Sequence, residues 1–366
     1  MALLSAVVMS APAVAAPSDG SLKLVVGDGD AGFSGDGGPA AAARLNKPFG
    51  GAVGADGTLY IADTVNHRVR AVTPDGAIRT VAGNGNETGE TGSIKKGTAG
   101  TAISLGVPTE LAVGPDGTLY IADEAAIRVY ALAPDGAISV RVDVSTGREI
   151  LKKPMRDLRG LAVGPDGTIY VSDRQNNRVV AFAIDGVSRV VAGDVVSGPD
   201  DLAVDSGGDL WILGSSLYRV RGDAVATIRH SEPGRWAVGD GRSSGGDWGL
   251  VRSMGVGPAG VYLMDDQRLV VRWLSPDGVV HAVAELARES LGGDPVELAV
   301  GATSAGPLYL IDFAGSRVFA VDVPAQAPAP SAEKTPLWQW VLGGGAVVVL
   351  LAFALAAVRR QRTRTS

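Results

Sequence analysis

The sequence predicts an all-β fold, a six-bladed β-propeller, followed by one C-terminal transmembrane α-helix. Three observations predict it: a unit repeated six times, Asp-Gly turns at set places within that unit, and one long uncharged stretch near the end. The repeat carries the most weight, because self-similarity at a period of tens of residues is the mark of propellers and solenoids. Residues 52–63 read AVGADGTLYIAD, 112–123 read AVGPDGTLYIAD and 162–173 read AVGPDGTIYVSD. Weaker copies begin at Ala203, Gly255 and Ala299. The aromatic residues of the six copies (Tyr60, Tyr120, Tyr170, Trp211, Tyr262, Tyr309) lie 60, 50, 41, 51 and 47 residues apart. Such spacing suits a four-stranded blade with connections of variable length.

Within a unit the elements follow from residue type. A short apolar strand ends in Ala-Val, and Asp56-Gly57, Asp116-Gly117 or Asp166-Gly167 turns the chain. Asp-Gly is a strong hairpin signal, since both residue types tolerate positive φ. The second strand, such as Thr58 to Ala62, is apolar on both faces, as a strand buried between stacked blades must be. The third strand opens on Arg-Val in five units, at Arg68, Arg128, Arg178, Arg219 and Arg317, with Arg268-Leu269 as the divergent case. A second Asp-Gly turn leads to the fourth strand. The last copy stops after its third strand, while an unpaired strand, Ser21 to Val26, precedes the first. Joining the two closes the ring between the chain ends and leaves no open gap.

The expected order along the chain is a signal peptide over 1–16, a propeller over 21–323, a stalk over 324–336, a membrane helix over 337–358 and a basic tail over 359–366. The first sixteen residues are apolar and end in small residues, as a cleavable signal does, although no Lys or Arg precedes the apolar run. Leu337 to Val358 carries no formal charge over 22 residues, enough at about 1.5 Å per residue to cross a ~30 Å hydrocarbon layer. Trp338 and Trp340 stand where an interfacial belt belongs, and the arginines after Val358 place the tail in the cytoplasm and the propeller outside. The Pro/Ala-rich stalk between them extends to at most ~40 Å.

Composition removes several function classes. There is no cysteine, hence no disulfide framework, thiolate nucleophile or Cys-ligated zinc. The formal charge is −6 even with four arginines in the last eight residues, so the rest of the chain is more acidic still. Nucleic acid is not an expected partner of such a surface. No cofactor is expected.

The unit from Ala52 to Gly85, AVGADGTLYIADTVNHRVRAVTPDGAIRTVAGNG, resembles an NHL repeat, including its Asn66-His67-Arg68-Val69 signature. The resemblance covers roughly residues 21–323 and is sharpest in the first three units; the fourth lacks the Asp and the fifth shortens that loop. Gly32 to Pro48 is similar to the segment that precedes such blades in bacterial secreted versions. The resemblance implies a propeller that binds partners; one similar group is the extracellular sensor propeller of actinobacterial membrane serine/threonine kinases. It also leaves an alternative, because a minority of related six-bladed propellers are enzymes, calcium-dependent lactonases and a zinc lyase acting on peptidyl-α-hydroxyglycine.

The conspicuous polar pattern is an Asp five residues before an Arg: Asp63/Arg68, Asp123/Arg128, Asp173/Arg178 and Asp312/Arg317. Recurrence with its own arginine predicts an intrablade ion pair bracing the loop between the second and third strands, rather than a cation-binding carboxylate ring. Three histidines (His67, His230, His281) suffice in number for a zinc site, but two fall near the ends of fourth strands, towards the outer rim. Asp28, Asp30 and Asp36 lack EF-hand spacing, and Gly241 to Gly245 matches Gly-x-Ser-x-Gly without the strand and helix a nucleophile elbow needs. The residues therefore predict a non-enzymatic protein with no metal site.

Strand order places the connections between blades, and between the second and third strands, on one face of the disc. All the long insertions, Gly27–Pro48, Gly83–Pro108, Asp143–Pro154 and His230–Leu250, are of this class and build a loop face, the usual place for recognition. Within it Arg235, Trp236, Arg242 and Trp248 are the candidate ligand-binding residues, being frequent interface anchors. The sequence thus predicts a membrane-anchored propeller binding an extracytoplasmic protein, peptide or cell-wall ligand, with a metal-dependent lactonase or lyase as the alternative. The stalk leaves from the tight-turn face, which then looks towards the membrane.

Overall fold

The computed structural model describes residues 22–321, apart from 90–91, 145–153, 156, 233–234, 238–246, 249–250, 258–259, 275–279, 293–296 and 301–307. The expected signal, stalk, membrane helix and tail lie outside the described residues. Among those described, no helix is long and apolar enough to cross a membrane.

Six antiparallel sheets are formed, five of four strands and one of six. In blade 1 they run Gly51–Val53, Leu59–Asp63, Arg68–Val72 and Ile78–Ala82, from the axis outwards. Blades 2, 3 and 5 repeat this order from Pro108, Leu158 and Val251. Blade 6 takes Glu297–Val300, Leu308–Asp312 and Arg317–Val321 from the end of the propeller, and Leu22–Val26 from its beginning. Leu22 faces Val321, and Leu24 faces Phe319, so the ring closes as the unpaired strand requires.

Apolar burial lies between blades rather than within one. Leu59, Ile61, Val72 and Ile78 of blade 1 pack with Ile311, Val318 and Val26 of blade 6. Ala62, Val69 and Ala82 of blade 1 turn the other way, onto Leu111, Ile121 and Tyr130 of blade 2. Four further clusters fill the remaining interfaces in the same way. Each second strand contributes to both of its neighbours, which is why it reads as a continuous apolar run.

The Asp-Gly turns are hairpins in which only the glycine takes positive φ (Gly57 at 82°, Gly117 at 79°, Gly167 at 76°). Gly57 N–H donates to the Gly54 carbonyl, and Gly54 N–H to Thr58, as in a type I turn closed by a left-handed glycine. Asp56 stays at negative φ and instead accepts from the N–H and hydroxyl of Thr58.

Two of the insertions expected on the loop face do something else. Gly37 N–H and Ala40 N–H donate to the carbonyls of Ile78 and Gly76, and Ile78 N–H donates to Gly38. The Gly27–Pro48 segment thus runs down the outer edge of blade 1 as far as its tight turn. Thr98–Gly100 does the same beside Ile138 and Gly136 of blade 2. Both segments occupy backbone groups that an outermost strand would otherwise present to solvent. The sequence showed the length of these insertions but not that their few free N–H groups match an edge.

Blade 4 departs from the others. Its fourth strand, Ala224–Glu232, is followed by two more, Arg235–Ala237 and Asp247–Trp248, where a loop was expected. Trp236 is in register with Ser231 on one side and Trp248 on the other.

The residue before the third strand is left-handed in five blades: His67, Ile127, Asn177, Leu269 and Ser316, with φ between 49° and 55°. Asn accepts this region readily, whereas a β-branched side chain is strained there by roughly 1–2 kcal/mol. Ile127→Asn should therefore stabilise the propeller by about 0.5–1 kcal/mol, read as a raised midpoint in urea denaturation. A lowered midpoint contradicts the strain.

Candidate functional site

The aspartates at the ends of the second strands sit opposite the arginines that open the third: Asp63 with Arg68, Asp123 with Arg128, Asp173 with Arg178 and Asp312 with Arg317. All four aspartates are fully buried. The ion pairs, however, are not uniform. Asp173 bonds Arg178 at 2.8 Å and Asp312 bonds Arg317 at 3.2 Å. Asp63 instead pairs with Arg70 at 3.3 Å, and Arg68 donates to the carbonyls of Asn66 and Asn84 and lies over the Phe33 ring. Arg128 pairs with Asp143 at 2.8 Å. Asp265 of blade 5 pairs with Arg272 at 3.2 Å, the same seven-residue offset as Asp63 and Arg70.

In blades 1, 2 and 6 these carboxylates share backbone N–H, whereas Asp173 of blade 3 accepts from Asn176 and Arg178 and leaves one oxygen without a partner among the described residues. Asp63 accepts from Asn46, Asp123 from Gly106, Val107 and Ala126, and Asp312 from Gly292 and Gly315, all between 2.7 and 3.2 Å. In each case one donor lies in the connection entering the blade, so the carboxylate ties that connection to the turn between strands two and three. Burial raises the Asp63 carboxyl above its ordinary range, against the pull of Asn46, Asn66 and Arg70.

The other conspicuous residues are also placed. Asp28 and Asp30 pair with Arg44, and Asp36 pairs with Arg70 and accepts from Thr80. His67 contacts the Gly106 carbonyl through Nδ1. Among the described residues no three His, Asp or Glu side chains are grouped to hold a metal ion. Of the loop-face candidates, the backbones of Arg235, Trp236 and Trp248 lie on the extra strands of blade 4, and Arg242 falls outside the described residues.

A polar cluster that sequence reasoning passed over lies where the six innermost strands begin. Each of these strands packs against the next around the axis. At their entry end stand Glu110 of blade 2, Asp157 and Arg159 of blade 3, Asp200 and Asp201 of blade 4, and Arg252 of blade 5. Arg159 pairs with Asp157 at 3.0 Å, Arg174 with Asp200 at 3.3 Å, and Arg252 with Asp266 at 3.4 Å. Asp201 accepts from its own neighbour Leu202 and from Met254 of blade 5, both at 2.7 Å. Glu110 is only 6% exposed.

Burial holds the Glu110 carboxyl well above its ordinary range, and the charges of Asp201 and Asp200 push it further, with Arg159 opposing. Burial likewise pushes Asp201 up to about 7, against the N–H donors of Met254 and Leu202. Asp200 is raised by burial, with Arg174 and Arg159 pulling it back. The signal for this cluster was in the repeats. The position two before the alanine that faces the aromatic is Gly in blades 1 and 3 but Glu110 and Asp201 in blades 2 and 4. An acid opening an otherwise apolar strand at the axis has no role in strand formation.

Comparison with known proteins agrees with this architecture. Residues 155–182, which span the first three strands of blade 3, match the NHL repeat. A stretch of 125 residues is 39% identical to Teneurin-m of Drosophila melanogaster, covering 33% of this chain and 4% of that protein. Among solved structures, the chain is similar to a streptogramin B lyase (TM-score 0.53, 11% identity, 83% of this chain and 98% of that one). It is also similar to an auxiliary nutrient binding protein from Bacteroides ovatus (TM-score 0.58, 15% identity, 82% of this chain and 76% of that one). At these identities the likeness is one of fold.

The raised carboxyls set a direction for pH dependence. Between 3.8, the ordinary value for an aspartate, and about 7 the folded chain keeps a proton on Asp201 that the unfolded chain has released, and the raised Glu110 carboxyl acts in the same direction above 4.5. Stability therefore falls as pH rises through that window. The denaturation midpoint should be lower at about pH 8 than at about pH 5.5, and Glu110→Gln should flatten the difference. A midpoint that rises across the window, or an unchanged slope in the variant, contradicts the assignment.

Proposed function

We propose that this propeller is a non-enzymatic binding scaffold, anchored to a membrane by the segment 337–358 and facing the extracytoplasmic side, that holds a protein, peptide or cell-wall ligand. The observation that carries the reading is the break in repeat symmetry at blade 4. A blade is complete with four strands, and among the described residues only blade 4 adds two, Arg235–Ala237 and Asp247–Trp248. The addition sets Trp236 in register with Trp248. Tryptophan and arginine concentrated on an added ribbon supply the large, stiff contact surface from which interfaces are built. The turns described at the opposite ends of the strands in blades 1 to 4 carry no comparable elaboration, which supports the entry end, bearing both this ribbon and the polar cluster at the axis, as the recognition face.

A photo-crosslinking residue placed at position 242 of the full chain tests this on intact cells. The expected result is a discrete adduct that is lost when Trp236 and Trp248 are both replaced by alanine. Adducts from probes at Gly76 and Gly136, on the tight-turn side, with none from position 242, would overturn the assignment of the face.

A further inference from the structure

The six innermost strands begin with corresponding residues: Gly50, Glu110, Gly160, Asp201, Ser253 and Glu297, each two before the residue that faces the second-strand aromatic. Wherever the surroundings of this position are described, it points to the next blade. A Cβ on Gly50 would meet the Thr109 carbonyl at 2.1 Å, and one on Gly160 would meet the Asp200 carbonyl at 2.9 Å. Asp201 accepts from Met254 N–H of blade 5, and Ser253 Oγ from Leu298 N–H of blade 6. The same geometry directs Glu110 at Gly160, a residue with no side chain to block the way towards Asp200 and Asp201.

Glu110 breaks the pattern in one respect. Asp201 and Ser253 accept from the N–H of the residue after the corresponding position in the next blade, Met254 and Leu298, whereas Glu110 takes no such bond from Leu161, their counterpart in blade 3. The Glu110 carboxyl makes no hydrogen bond among the described residues, although the residue is more than nine-tenths buried. A buried carboxyl without a donor costs stability and is not kept for packing. Among the described residues the three arginines nearby are engaged by Asp157, Asp200 and Asp266, and none of them pairs with Glu110 or Asp201.

We infer that Glu110 and Asp201 form a site for a primary ammonium group, entered from the end of the ring where the interblade connections lie. An ammonium is compact and carries three donors. It supplies the charge and hydrogen bonds that Glu110 lacks, where a neutral or anionic ligand would leave the carboxyl unpaired. In the free protein a proton fills this role, and it leaves as the ammonium enters: the protonated pair plus R–NH3+ gives the bound ion pair plus H+. The site stands whether or not a macromolecule covers the recognition face, and an amine can reach it as a free small molecule or on a lysine of a larger partner.

Calorimetry on the full chain at about pH 7, in two buffers of different ionisation enthalpy, tests the inference. The probes are Nα-acetyl-lysine amide, the pentapeptide acetyl-Gly-Gly-Lys-Gly-Gly-amide, and the norleucine analogue of the first. Saturable binding of either lysine probe with net proton release is expected, with no binding of the norleucine analogue. Binding of the small probe alone assigns a free amine, and binding of the pentapeptide assigns a lysine within a chain. Glu110→Gln should weaken it about 10- to 100-fold, the worth of one charged hydrogen bond. Asp201→Asn, which keeps an acceptor for Met254 N–H, provides the same readout if the first variant does not fold. No saturable heat from either lysine probe, equal binding of norleucine, or unchanged affinity in the folded variants would overturn the site. So would calcium binding that depends on Glu110 and excludes the amine.

Discussion

The propeller depends on a buried carboxylate at the end of the second strand of a blade. The residue is fully enclosed in Asp63, Asp123, Asp173, Asp265 and Asp312, a position where a charge is costly unless donors compensate it. In blades 1, 2 and 6 the donors include N–H groups of the incoming connection. A stack of sheets buries apolar surface between blades, but that attraction has no direction. The carboxylate supplies direction, since in blades 1, 2 and 6 it fixes where the incoming connection arrives and hence how that blade is set against its neighbour.

Arginine is the variable part of the arrangement. It reaches the aspartate from five residues on in blades 3 and 6 and from seven in blades 1 and 5. In blade 1 the change frees Arg68 to stack on Phe33 while Arg70 also takes Asp36 of the edge-covering segment. One guanidinium thus links the turn of blade 1 to the strap along its rim. Desolvating a charge pair costs several kcal/mol, so these arginines neutralise carboxylates that the backbone has already placed rather than drive the folding.

Much of this was legible in the sequence. Three near-identical copies, with three weaker ones at matching aromatics, carried blade number and strand order, and a third strand without a fourth carried the closure. Less legible was anything depending on which of two equivalent partners a side chain chooses. Arg68 and Arg70 alternate along one strand, and nothing in the sequence says which is nearer Asp63. The added strands of blade 4 were hidden because each is two or three residues long and set among glycines, where periodicity has no room to register. The edge-covering segments failed for a similar reason, as their pairing uses isolated backbone bridges. Glu110 is visible in the repeats only as a difference between copies, at a position that is glycine in blades 1 and 3, whereas the fold is carried by what the copies share. That contrast has a physical basis: positions that build the ring must recur in every blade, while a site needs only one side of it.

The account stands or falls on the aspartate as acceptor for the incoming backbone, and Asp123 is the best place to test it. It takes N–H groups from Gly106, Val107 and Ala126, while its cross-strand arginine is paired with Asp143. The measurement is the denaturation free energy of Asp123→Asn, together with hydrogen exchange at the Gly106 and Val107 amides. The amide keeps the size but removes the charge and turns an NH2 towards donors. A loss of about 2–4 kcal/mol, with exchange quickened at those two amides, is the predicted result. A change within about 0.5 kcal/mol, with both amides still protected, would contradict it.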